Sequence, residues 1–173
     1  MKTDNKIKFQ DLAVCAMLTA LTFVMSHINF KLPLTGSGGL VHFGNIPVVV
    51  AAVCFGRKQA AVCGALGMAL FDIMSPYATW ALPTFIIRLA VGYIMGYFAE
   101  KGQGKSFRWN LTGVIVSGGV LIAGYFIAYV IMSGSLAGPI AGIPGDAVQV
   151  ASAALIGLPV AASVKKSIRI SND

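Results

Sequence analysis

Apolar residues run along this chain in stretches of membrane-spanning length, and the short segments between them hold most of the charges, prolines and clustered glycines. A helix that crosses the hydrocarbon of a bilayer needs about 20 largely apolar residues. Runs bounded by charge, proline or glycine predict six helices, at about 10–27, 40–55, 58–74, 80–99, 109–132 and 144–164. The second is short for a span. No run alternates polar with apolar residues, which excludes a β-barrel. The fold class is therefore an all-α integral membrane protein, a compact bundle of six transmembrane helices forming a single transmembrane domain over residues 1–173.

Composition supports this. The chain is 57% hydrophobic and 11% charged, with a mean hydropathy of +0.79, against roughly 45–50% apolar and about 25% charged residues in soluble domains. A soluble core needs a polar shell that this sequence does not possess. The net charge of +7 lies in short clusters between apolar runs: Lys2, Lys6 and Lys8; Arg57 and Lys58; Lys101, Lys105 and Arg108; Lys165, Lys166 and Arg169. A nucleic-acid surface would gather its cations on one face with polar or aromatic residues between them. Here every second helix boundary is basic, and basic loops favour the cytoplasm. The pattern places both termini in the cytoplasm of a multi-pass protein of the bacterial plasma membrane. The segments around 30–39, 75–79 and 135–143 then face outside, with Lys31 as their one basic residue. Trp80 and Trp109 fall near opposite boundaries and suit the aromatic belts. Cys15, Cys54 and Cys63 lie inside apolar runs without metal or redox spacing, as packing residues do.

Small residues let helix backbones approach closely in lipid. The third run carries Ala60, Ala61, Gly64, Ala65 and Gly67, which makes it the central helix. In the first, Ala13, Ala16 and Ala20 form a stripe suited to tight contact within the bundle or with a partner.

An ionisable side chain in hydrocarbon costs at least a few kcal/mol, so intramembrane charges point to function. Arg88 lies about eight residues into the fourth run, some 12 Å from its outer end at 1.5 Å per residue. Asp72 and Asp146 fall in the same outer half. His42, Asn45, Tyr77, Thr84, Tyr125, Tyr129 and Gln149 reach that level too, and Tyr125/Tyr129 and Asp146/Gln149 share helix faces by their spacing. Together they are candidates for a substrate pocket. Tyrosines stack on a small ring, while Asp, Gln and Arg fix its hydroxyls or ring nitrogens. Hydrolase motifs and clustered Cys or His are absent from the sequence, so neither an enzyme, a cofactor nor a metal site is expected. The groups at depth leave open an autonomous proton-coupled carrier, although no inverted repeat is detectable.

Three stretches carry a family resemblance: Ala13-Val-Cys-Ala-Met-Leu-Thr-Ala20, His42-Phe-Gly-Asn-Ile-Pro47, and the segment from Gly56-Arg-Lys-Gln to Phe71-Asp72. With them the chain resembles a substrate-binding S component of the energy-coupling factor (ECF) vitamin transporters, in the group with the riboflavin and hydroxymethylpyrimidine or pyridoxine members. The resemblance implies a small water-soluble vitamin bound in an outer-half cavity. It also implies partnership with a transmembrane T component, on which the alanine stripe of the first helix packs, and with two cytoplasmic ABC ATPases. Transport would proceed by toppling of the whole S component in the bilayer, driven by ATP hydrolysis on those partners. The segment 30–39 would be the lid of the cavity. Pyridoxine or hydroxymethylpyrimidine is the favoured cargo, with riboflavin or pantothenate next.

Overall fold

The structure, a computed structural model, describes residues 9–31 and 40–172. Lys2, Lys6 and Lys8, and all of the expected lid except Phe30 and Lys31, lie outside the described residues. The helices are α1 (Phe9–His27), α2 (Asn45–Phe55), α3 (Arg57–Ile73), α4 (Ala81–Lys101), α5 (Phe107–Ser133), α6 (Ala137–Ser152) and α7 (Leu158–Asn172). A 3-10 turn at Ala78–Trp80 leads into α4. A π-helical turn at Ala153–Gly157 joins α6 to α7 without a break, so that the last two helices form one long rod.

Among the described residues, four segments are long and apolar enough to cross a membrane: Phe9–His27, Ala78–Lys101, Phe107–Ser133 and Ala137–Ile168. Large apolar side chains such as Met17, Ile131 and Leu155 stand more than 70% exposed on the outside of the bundle, where lipid is their natural solvent. The other two predicted helices fall short for identifiable reasons. In α2, every residue from Asn45 to Val53 is buried, and α1, α3, α4, α6, α7 and the π turn surround it. A helix apolar on all sides belongs in an interior, and one enclosed by protein has no bilayer thickness to match. The 17-residue α3 packs its small residues against α1, α2 and α4 but exposes Val62, Leu66 and Leu70 on its other face, so the central position expected of it belongs to α2. The backbones of α3 and α4 meet where a Cβ on Gly92 would overlap the Ala60 carbonyl group.

Two further expectations are corrected. The run expected to be helical from 40 begins as a strand: β2 (Leu40–His42) pairs antiparallel with β1 (Asn29–Lys31), Phe30 facing Val41. The architecture is thus all-α apart from this two-stranded hairpin. Pro47 explains the late start of α2, because a proline has no N–H to bond the carbonyl four residues back and its ring collides there. Helix can begin just before Pro47 but cannot extend back through Phe43. Conversely, the last rod starts at Ala137, seven residues ahead of the expected position, and most of the segment 135–143 is helical. Pro139 is its first-turn proline, and Pro144 lies inside the helix.

At the end of the bundle opposite the hairpin, Lys165 of α7 donates through Nζ to the Val53 and Cys54 carbonyls, satisfying the C-terminus of α2 (3.2 and 3.4 Å). Arg57 pairs with Glu100 there at 2.9 Å, joining α3 to α4. Lys101 lies over the rings of Tyr97, Phe98 and Trp109 at 4.7–5.4 Å.

Candidate functional site

The hairpin end of the bundle encloses a cavity of about 250 Å³ between α3, α4, α5 and α6, with β2 along one side. Each helix contributes a stripe at helical spacing: Met68, Phe71 and Asp72; Thr84 and Arg88, with Trp80 in line on the preceding turn; Ile122, Tyr125, Phe126 and Tyr129; Pro139, Gly142, Ile143, Asp146 and Gln149.

Arg88 organises the polar wall. Although 2% exposed, it makes no contact with a carboxylate: among the described residues the ion pair is that of Arg57 and Glu100. Its partners are neutral. Nε–H donates to the Tyr125 hydroxyl (3.1 Å), Nη1 to Asn45 Oδ1 (2.6 Å) and Nη2 to Gln149 Oε1 (3.2 Å). Nη2 also approaches His42 Nε2 at 3.4 Å. Because His42 Nδ1 accepts from the Gly44 N–H (3.2 Å), a neutral ring carries its proton on Nε2, and this approach is a contact between two donors. A guanidinium has five N–H donors. With three spent on Tyr125, Asn45 and Gln149, one hydrogen on each terminal nitrogen remains to meet an acceptor in the cavity.

The surrounding bonds hold this arrangement rigid. The Tyr125 hydroxyl donates in turn to Thr84 Oγ1 at 3.2 Å, and its ring lies 5.3 Å from the guanidinium carbon. Gln149 Nε2 donates to the Leu40 carbonyl at 2.7 Å, which fixes the amide with its oxygen towards Arg88 and ties α6 to β2. Trp80 packs on Tyr129 and Tyr125 with centroids 5.4 and 6.2 Å apart, an aromatic wall suited to a planar ring. Phe71 stacks with Tyr77 across the cavity mouth at 6.5 Å.

The two carboxylates differ. Asp72 is 8% exposed, and its Oδ2 has no hydrogen-bond partner among the described residues. Asp146 is half-buried on the cavity side of α6, one turn before Gln149.

The structure thus brings His42, Asp72, Tyr77, Thr84, Arg88, Tyr125, Tyr129, Asp146 and Gln149 to one cavity. Asn45 does not line it. It stands behind Arg88 and holds the guanidinium in place. Arg88 forms no ion pair with either aspartate among the described residues. Trp80, expected in the lipid belt, forms part of the cavity wall instead. Its spacing of four and eight residues from Thr84 and Arg88 was the available signal.

Helices with lipid-facing exteriors around a small, partly polar cavity open near one end define a solute-binding membrane protein. Residues 6–166 match the family described as ECF-type riboflavin transporter, S component, and the chain belongs to that family. Its role is accordingly non-catalytic vitamin transport in the cell membrane, within a family whose members work with T-component and ATPase subunits. Among relatives, the chain is 34% identical over 139 residues to an "Uncharacterized protein in gap 3'region" of Pyrococcus woesei, covering 80% of this chain and 90% of that one. It is 30% identical over 148 residues to the "Thiamine precursor transporter HmpT" of Lactococcus lactis subsp. cremoris, covering 85% and 82%. A solved structure described as "Structure and mechanism of the S component of a bacterial ECF transporter" superposes with a TM-score of 0.65 at 17% identity, covering 93% of this chain and 95% of that one. That likeness concerns the fold.

Proposed function

We propose that this chain captures a single-ring, hydroxymethylated nitrogen heterocycle of the pyridoxine or hydroxymethylpyrimidine class in the Arg88 cavity and presents it for ATP-driven uptake. The size of the cavity carries this reading. At about 250 Å³ it lies below the roughly 300–1,000 Å³ of sites for drug-sized ligands. One substituted ring fills that space, whereas riboflavin, with three fused rings and a ribityl chain, would extend out through the open mouth. The name of the Lactococcus relative, a thiamine precursor transporter, agrees with a small cargo. Pantothenate would bring a carboxylate towards Asp72 and Asp146.

In this reading Trp80, Tyr125 and Tyr129 stack on the ring, and Arg88 donates to a ring nitrogen or hydroxyl. Asp72, Asp146, Gln149, His42, Thr84 and Tyr77 complete the polar wall. The chain acts as one transmembrane domain of six helices with the hairpin end outside and both termini in the cytoplasm. The basic residues Arg57, Lys58, Lys101, Lys105, Arg108, Lys165 and Lys166 at the opposite end support that orientation. Ala16 and Ala20 are exposed on α1, in an apolar groove shared with Val62 and Leu66 of α3, and offer a close-approach surface to the T component. Ala13 is half-buried and does not line the groove.

Fluorescence titration of the purified full chain tests the cargo, because Trp80 lines the cavity and the other tryptophan, Trp109, lies at the far end. Pyridoxine or hydroxymethylpyrimidine should change the emission saturably at one-to-one stoichiometry, and Trp80→Phe should remove the signal. A saturable response to riboflavin or pantothenate, with none to the single-ring compounds, would overturn the reading.

A further inference from the structure

The cavity is polar in an unbalanced way. Its lining holds one cation, Arg88, and two carboxylates, Asp72 and Asp146. Arg88 is already engaged by Tyr125, Asn45 and Gln149, and it neutralises neither aspartate by direct contact. Asp146 is near enough to Arg88 for the charges to interact, yet the described residues offer its carboxylate no hydrogen bond. It stands one turn from Gln149 on the cavity face of α6, with the aromatic wall of Trp80 and Tyr129 lining the same space. A partly buried carboxylate without a donor loses hydration unless something in the cavity supplies N–H or O–H groups. Anionic cargo is disfavoured by the same imbalance.

We propose that Asp146 is the specificity-determining residue of the cavity and receives the amidine edge of an aminopyrimidine, the ring nitrogen and adjacent exocyclic amine, in a two-pronged hydrogen bond. This rests on the single-ring reading above and narrows it. Once the ring nitrogen beside the amine takes a proton, an amidine edge presents two parallel donors fixed in the ring plane, and two parallel donors are what a carboxylate binds best. The remaining N–H groups of Arg88 then meet the hydroxymethyl oxygen or the other ring nitrogen. A pyridoxine ring has no exocyclic amine and leaves one oxygen of Asp146 unmatched. A ring carrying an oxo group in place of the amine sets oxygen against oxygen.

The test is a calorimetric or fluorescence titration of the full chain with three probes: 4-amino-5-hydroxymethyl-2-methylpyrimidine, its 4-oxo analogue, and pyridoxine. The amino compound should bind at least about tenfold more tightly than either of the others. Asp146→Asn, nearly isosteric, should erase that preference chiefly by weakening the amino compound. Equal binding of the amino and oxo compounds, or an unchanged preference in Asp146→Asn, overturns the assignment. Tightest binding of pyridoxine overturns it too, while leaving the single-ring reading intact. Failure of all three probes where riboflavin binds removes the single-ring reading itself. Should Asp146→Asn not fold, the amino-to-oxo ratio of the unaltered chain decides alone, with Asp146→Glu, which keeps the charge, as the second variant.

Discussion

Arg88 is the side chain on which both the cavity and its surroundings depend. Its removal leaves Asn45 Oδ1 and Gln149 Oε1 without their donor and the Tyr125 hydroxyl with its bond to Thr84 alone, and a buried polar group left without its partner costs about 1–3 kcal/mol. Arg88→Met should therefore abolish ligand binding and also lower the thermal unfolding midpoint in detergent. Arg88→Lys keeps the charge but gathers its three donors on one nitrogen in place of a planar fork spread over three, so it should recover stability only in part and binding hardly at all. Asn45→Leu offers a sharper distinction, since Asn45 does not line the cavity. It should weaken binding roughly tenfold, the order of one hydrogen bond to a charged group, by freeing the guanidinium to move. Unchanged affinity in Asn45→Leu would show that Arg88 needs no such positioning. Arg88 was legible in the sequence because a charge deep in an apolar run has few explanations. The placement of Asn45 was not, since polarity at a given depth does not say whether a side chain faces a cavity or the residue lining it. Trp80 was obscured by its position near a boundary, where a lipid belt accounts for tryptophan equally well.

Among the elements, the crossing of α3 and α4 and the π turn set the site. Gly92 and Gly96 of α4 allow the backbone of α3 to approach so closely that a Cβ at either would collide with Ala60 or Arg57. Gly92→Val should destabilise by roughly 1–3 kcal/mol or more through overpacking, read as a lower unfolding midpoint, whereas Gly119→Ala, with open space around it, should leave the midpoint unchanged or raised. Equal effects would argue against this crossing. In the last rod, the π turn inserts one residue's worth of rotation between Asp146 and Gln149 at the cavity and Lys165 at the C-terminus of α2. Deleting Leu155, which is 77% exposed on that turn, should convert it to regular α-helix with the two halves kept in phase, because the wide turn already takes up one extra residue of about 100°; binding should survive, and its loss would show that the wide turn itself is needed. Neither the π turn nor the true start of the rod follows from periodicity. Pro144 resembles a helix start as much as Pro139 does, and continuous apolar sequence conceals a local change of helical pitch. The small-residue content of α3, in contrast, announced its close packing on α1, α2 and α4, though not that α2 holds the centre.

On the scale of the whole molecule, lipid-facing side chains, a buried short helix and a basic end opposite the cavity fit a member of a family that works with T-component and ATPase subunits. The α1 groove makes this testable. Ala16→Trp or Ala20→Trp should leave vitamin binding by the isolated chain intact while abolishing uptake in cells that supply T component and ATPases. Loss of binding in these variants would place the alanines in internal packing. The helical membrane bundle and the polar residues that meet in its cavity were legible beforehand, because charge and hydropathy respond to the membrane itself, although four of the six predicted runs are long and apolar enough to cross it among the described residues. The cargo was not, since it depends on a volume and on which donors remain unspent after folding. The most direct measurement is therefore native mass spectrometry of the gently released full chain after exposure to an equimolar mixture of pyridoxine, hydroxymethylpyrimidine, riboflavin, pantothenate and thiamine. The account predicts one adduct per chain with the mass of a single-ring compound, absent in Arg88→Met. A riboflavin or pantothenate adduct, or a single-ring adduct that persists in Arg88→Met, would contradict it.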